Sequence, residues 1–112
     1  MNLRLTATST GAQTVLDVGG EVDVHSATQL TDRLSQIIGS GQQSVVVDLS
    51  GLSFIDSTGL GALVAARNQA QQTGVVLRLV CRSDRLLKLF RITGLDAVFD
   101  IYPTLAAAVE AG

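Results

Sequence analysis

The chain has one cysteine, one histidine, one proline and no tryptophan. With Cys81 alone, no internal disulfide can form, and its apolar surroundings, "VVLRLVC", predict a buried thiol in a strand. A metal site needs a cluster of ligands, and one histidine and one cysteine far apart in sequence do not supply it. Charge is sparse as well. The net charge is −2, aromatics make up only 4% of the residues, and basic residues gather only in "RSDRLLKLFR". A nucleic-acid surface is therefore not expected. Basic and apolar residues alternate in that segment at helical spacing, with an acid among them, which reads as the solvated face of a helix rather than a membrane-surface element. No window reaches the ~18 unbroken apolar residues of a membrane span. The N-terminal "MNLRLTATSTG" lacks the apolar core of a secretion signal. A soluble cytoplasmic protein is expected.

Among its 112 residues, 46% are apolar and 16% charged, the balance of a compact globule. One domain over residues 1–112 is expected, long enough to build a core without metal or disulfide support. Strand patterns fall at "LRLTAT", "QTVLDVGG", "SVVVDLS" and "VVLRLVC", with a weaker one at "AVFDIY". The "TSTGAQ" turn closes the first two as an antiparallel hairpin. Between the later strands, helical patterns imply crossovers and parallel pairing. The expected fold class is α/β, with a mixed sheet.

Leu30, Leu34, Ile37 and Ile38 follow the spacing of one buried stripe and predict the first helix. Ser26 and Gln29 predict a capping box at its start, and Gly39 and Gly41 its end. The second helix runs from the "DSTG" motif through Leu60, Leu63 and Val64 to about Gln72, with Gly74 beyond it. Its Gly61, Ala62, Ala65 and Ala66 permit close packing on a sheet. A third helix starts near Ser83, buries Leu86, Leu87 and Phe90, and ends before a left-handed Gly94 that lets Leu95 pack on Phe90. Thr104 caps a short last helix, "TLAAAVEA".

The stretch "LSGLSFIDSTGLGALVAA" carries the chemistry: Asp56, Ser57 and Thr58 stand together where a strand hands over to a helix. A serine nucleophile needs a base and a group to orient it. The one histidine, His25, lies in a distant loop, and "IDSTG" lacks the G-x-S-x-G elbow of the α/β-hydrolases. "STGLGA" could offer amides to an anion at a helix start. It matches neither the P-loop nor the dinucleotide fingerprint. Asp56 or Ser57 as a helix cap accounts for one polar residue and leaves the adjacent hydroxyl unexplained. The remaining reading is a hydroxyl presented for modification. A phosphate there sits in the favourable field of a helix N-terminus.

"VVVDLSGLSFIDSTGLGALVAA" resembles the signature of the STAS domain in bacterial anti-sigma factor antagonists. "LDVGGEVDVHSATQL" resembles the same family's G-E-[LV]-D segment, and "LLKLFRITGLDAVFDIYPTLAAAVEA" its third helix, G-L turn, last strand and closing helix. The match runs in register over roughly residues 3–110. The resemblance implies helices packed mainly on one side of a small sheet, and a binding protein rather than an enzyme. It implies phosphorylation of Ser57 by an anti-sigma factor that is also a serine kinase, and resetting by a serine phosphatase. Unphosphorylated antagonist binds that factor and frees the sigma factor, in stress-response or sporulation circuits. The chain itself needs no cofactor, since ATP is bound by the partner kinase. The docking face implied comprises Asp23, Val24, His25, Asp56, Ser57, Thr58 and Gly59, with Thr58 as a cap or loop hydrogen bonder. Nucleic acid and membrane are not expected partners, and the state alone is monomer or weak dimer. The family also contains scaffold or ligand-binding subunits of transport and signalling complexes, the alternative implied.

Overall fold

A computed structural model describes residues 3–111. The chain opens as a hairpin, β1 (Leu3–Thr10) against β2 (Gln13–Val22), turned at Gly11, whose φ of 60° suits glycine. Helix α1 (Ala27–Ile38) then crosses to β3 (Ser44–Asp48). A short link leads to β4 (Leu52–Ile55), and α2 (Ser57–Thr73) follows at once. After β5 (Val76–Val80) come α3 (Asp84–Ile92), a 3-10 turn over Leu95–Ala97, β6 (Asp100–Tyr102) and α4 (Leu105–Glu110). The sheet order is β1-β2-β3-β5-β6, antiparallel in the first pair and parallel thereafter. The expected α/β class and mixed sheet are what the chain forms.

Two departures from the expected elements bear on function. The strand that hands over to the motif is β4, separate from the expected "SVVVDLS" strand and not marked by its own pattern, since its four residues bury only their first and last and show no alternation. It pairs with the end of β2, so that one long strand runs beside β3 and then beside β4. The weak "AVFDIY" strand is only Asp100–Tyr102, because Leu95–Ala97 curls into the 3-10 turn and Phe99 turns into the core.

The main core lies on one face of the sheet. Leu16, Val18, Val45, Val47 and Leu79 point there, covered by Leu30, Leu34 and Ile38 of α1, Leu60 and Leu63 of α2, and Leu86 and Phe90 of α3. Ala62, Ala66 and Ala70 are buried as well, and their small side chains let α1 and α2 lie side by side. Val64 and Leu87, expected in the core, are half-buried at its margin. On the reverse face α4 seats Ala108 on Val46 and Val80. Helices thus cover mainly one side.

Helix ends follow local chemistry. Ser83 accepts from Leu86 N–H and Thr104 from Ala107 N–H. Gly94 takes a left-handed φ of 76°, its N–H donates to Arg91 O, and Leu95 packs against the cluster that holds Phe90. Gly39 ends α1 in right-handed geometry, whereas Gly41 is the left-handed one. Cys81 lies one residue beyond β5 rather than in it, is 2% exposed, and burial pushes its thiol pKa up. No helix among the described residues is long and apolar enough to cross a membrane.

Phe90 is 1% exposed and meets the Phe99 ring edge-on at 6.0 Å. Phe90→Ala is expected to lower folding stability by about 3–5 kcal/mol, read from urea unfolding, because α3 and the turn after it lose their shared anchor.

Candidate functional site

Val22 of β2 and Ile55 of β4 are paired in register, and the next residues are Asp23 and Asp56. Asp56 N–H donates to Val22 O at 3.2 Å, which continues the ladder one step past the strand ends. The two acids therefore leave adjacent parallel strands at their carboxyl ends, the edge where open α/β sheets place their ligands.

Asp56 is the N-cap of α2, with extended backbone (φ −106°, ψ −172°). Its Oδ1 accepts Thr58 N–H at 3.0 Å and Gly59 N–H at 3.1 Å, and the Thr58 hydroxyl donates to the same oxygen. Its carbonyl accepts Leu60 N–H at 3.0 Å. The Thr58 hydroxyl is foremost in holding the carboxyl below its usual pKa. Gly59 N–H follows, partial burial opposes, and Thr58 and Val24 N–H add to the lowering. The pairing of β2 with β4 sets the loop after β2 beside the start of α2.

Ser57 occupies the first helical position and is exposed, and among the described residues no hydrogen bond engages its hydroxyl. Of the three polar side chains in "DST", two are spent on each other and on the helix start. The third is free.

Asp23 organises the neighbouring loop from inside. It is 7% exposed, and its Oδ1 accepts His25 N–H at 2.9 Å and Ser26 N–H at 3.1 Å, with Ser26 Oγ also 3.1 Å away. Burial works against its charge, but the bonds from His25 N–H, Ser26 N–H and Ser26 Oγ outweigh it and hold the carboxyl below its usual pKa. The expected capping box does not form. Ser26 makes no side-chain cap bond; its Oγ instead accepts Asp23 N–H at 3.0 Å. Asp23 and Ser26 engage each other reciprocally, Asp23 N–H filling the Oγ and Asp23 Oδ1 taking the Ser26 N–H, while Gln29 N–H goes to Ser26 O. Val24 and His25 are left on the surface, Val24 at 62% exposure.

Gly59 is buried, and the reason is contact. A Cβ there would stand 2.5 Å from Ile55 Cγ1 and 2.7 Å from Val22 Cγ1. Only a hydrogen at this position lets the first turn of α2 settle onto the paired strand ends. No local pattern in the sequence marks Val22 and Ile55 as the seat of Gly59, or Ser26 as a partner of Asp23. Both depend on the β2–β4 pairing or on competition for a cap. Of the docking residues expected, Val24, His25, Ser57 and Thr58 reach the surface, Asp56 is half-buried, and Asp23 and Gly59 lie beneath. Among the described residues no hydrogen bond joins His25 to Ser57. Nor do three His, Cys, Asp or Glu side chains gather there as metal ligands.

A family model for the STAS domain matches residues 4–108. The chain belongs to the STAS family. This STAS domain is 36% identical to an anti-sigma-B factor antagonist of Staphylococcus aureus, across 90% of its own length and 94% of the relative's. It is 34% identical to an anti-sigma-B factor antagonist of Bacillus subtilis, across 90% of its own length and 92% of the relative's. Among solved structures it resembles an anti-sigma factor antagonist from Mycobacterium paratuberculosis, at a TM-score of 0.91 and 27% identity, covering 98% and 93% of the two chains.

Because Asp23 and Asp56 titrate lower in the fold than in the unfolded chain, each contributes stability in full above the ordinary carboxylate range near pH 4. That contribution fades as pH falls through the lowered folded value. Asp56→Ala should lower the urea midpoint at about pH 7, with the gap from the parent narrowing as pH falls below about 4. A gap independent of pH would mean that the carboxylate charge is not what caps α2. Gly59→Ala should cost about 1–3 kcal/mol by the same titration and displace the Ser57 amide resonance.

Proposed function

We propose that this STAS domain is an anti-sigma factor antagonist switched by phosphorylation of Ser57. In this reading the unphosphorylated protein binds an anti-sigma factor that is also a serine kinase, and so releases the sigma factor. The kinase holds the ATP. Phosphate on Ser57 abolishes binding and a serine phosphatase restores it, all in the cytoplasm, with no chemistry performed by the STAS domain itself. The names of its relatives point to the antagonist role. The observation that carries the switch is the division of labour in the motif: Ser57 is exposed and has no hydrogen-bond partner among the described residues, while Thr58 is tied to the capping carboxylate.

The physics of the modified state fits a switch that spares the fold. A phosphoserine brings about −1.5 to −2 charge. At the first position of α2 it meets the positive end of the helix, which offsets repulsion from the neighbouring Asp56 carboxylate. For a partner that covers this loop the outcome differs. Burying the new charge without a counter-ion costs several kcal/mol, enough to lower affinity by roughly 100-fold or more.

Incubation with the serine-kinase anti-sigma factor of the same organism and ATP should add one phosphate to the parent protein and none to Ser57→Ala. Titration calorimetry should then show Kd for that factor rising by roughly 100-fold or more on phosphorylation. Equal dissociation constants for the two forms would reject the reading.

A further inference from the structure

Next to the Ser57 loop lies a groove that no residue of the motif explains. Phe54 and Ile92 are 46% and 72% exposed, and both line an open cleft of about 320 Å³ between β4 and α3. Ile55 and Leu89 extend its apolar floor, and the two charged residues that line it, Arg85 and Lys88, are both cations. On α3, Arg85, Lys88, Leu89 and Ile92 fall at i, i+3, i+4 and i+7, one stripe of the helix, while Leu86 and Phe90 point to the core. Arg85 Nη2 donates to Ser53 O at 2.8 Å, which ties the helix to the strand and fixes one cation at the rim. Its lining includes Ile55, the residue directly before the Asp56 cap, which places the groove one residue in sequence from the Ser57 motif.

We propose that this groove docks an amphipathic helix of the anti-sigma factor, one whose apolar stripe is flanked by Asp or Glu. The inference rests on the reading of the Ser57 loop as that partner's landing site. An apolar floor with cations at the edge is complementary to such a helix in both shape and charge. A second copy of this chain fits poorly. In a two-fold contact Arg85 and Lys88 would face their own counterparts. The groove and the loop then have separate tasks. Groove contacts are made whether or not Ser57 carries phosphate, so they set the affinity of both forms together. Ser57 sets the ratio between them.

The test starts with the full chain, isotope-labelled and unphosphorylated, and two synthetic helical peptides. Both present leucines at i, i+3, i+4 and i+7; one is flanked by glutamates, the other by lysines. The glutamate peptide should shift the resonances of Phe54, Lys88, Leu89 and Ile92 saturably, and the lysine peptide should not. Ile92→Ser and Lys88→Glu, both at exposed positions, should each weaken the glutamate peptide by about tenfold. With the anti-sigma factor itself, Ile92→Ser should weaken the unphosphorylated and the phosphorylated form by the same factor. The proposal is overturned by equal shifts with both peptides, or by none. Shifts that appear on concentrating the protein alone would assign the groove to a second copy and overturn it too. So would an unchanged affinity of Ile92→Ser for the anti-sigma factor. Ser57→Ala should retain the peptide shifts. If phosphate on Ser57 leaves affinity unchanged while those shifts persist, the switch falls and the groove chemistry stands.

Discussion

The Asp56 carboxylate is the contact on which the presentation of Ser57 depends. One oxygen gathers two backbone amides and the Thr58 hydroxyl, and so fixes the first turn of α2. Helix starts are otherwise short of partners for their N–H groups. Here a single acid supplies them and at the same time removes the neighbouring hydroxyl from use. What distinguishes Ser57 from Thr58 is therefore not intrinsic reactivity but occupancy. Gly59 supplies the other half of the constraint, since its missing side chain brings the capped turn down onto Val22 and Ile55. The presented hydroxyl stands on the sheet through two residues that never touch the surface chemistry.

Asp23 repeats the device one strand away. It too is an acid directly after a strand, folding its loop around one carboxylate oxygen. With its charge turned inward, the loop shows Val24 and His25 to solvent. The face around Ser57 is consequently less acidic in its exposed side chains than "GEVDVHS" and "FIDST" suggest. Val24 and Phe54, each within two residues of one of these acids, are exposed and apolar. Exposed apolar side chains suit a partner that excludes water from the loop, the condition under which an added phosphate is most costly.

Features set by neighbours in sequence were the ones legible beforehand. The stripe Leu30, Leu34, Ile37 and Ile38, the caps Ser83 and Thr104 and the left-handed Gly94 depend on a few consecutive residues, and each is where its pattern placed it. β4 was hidden because its identity comes from β2, far upstream, and its own four residues have no periodicity. Ser26 had a sound capping pattern, and Asp23, outside that pattern, engaged both its Oγ and its N–H. For the site, the motif was visible at once, while the question of which hydroxyl was free awaited the geometry of Asp56. The Phe54–Ile92 groove joins β4 to α3, two elements whose meeting no local signal encodes.

The length of β2 has a consequence for what the chain can tolerate. This strand serves two successive neighbours, and the changeover falls at Gly19, Gly20 and Gly51, where Gly20 N–H reaches Gly51 O at 3.0 Å and the register slips between Gly20 and Glu21. The Arg4 guanidinium lies over Gly19, so any side chain there would have to push that group aside. Losing or gaining one residue at this crossing would leave the β3 half of the ladder intact but invert the other half, because side chains alternate across a sheet. Val22 would turn outward, and the helix start would lose the ledge beneath it. Natural variation in length is therefore expected to be accommodated in the hairpin tip or the stretch after α1, and shut out of this short glycine-lined crossing.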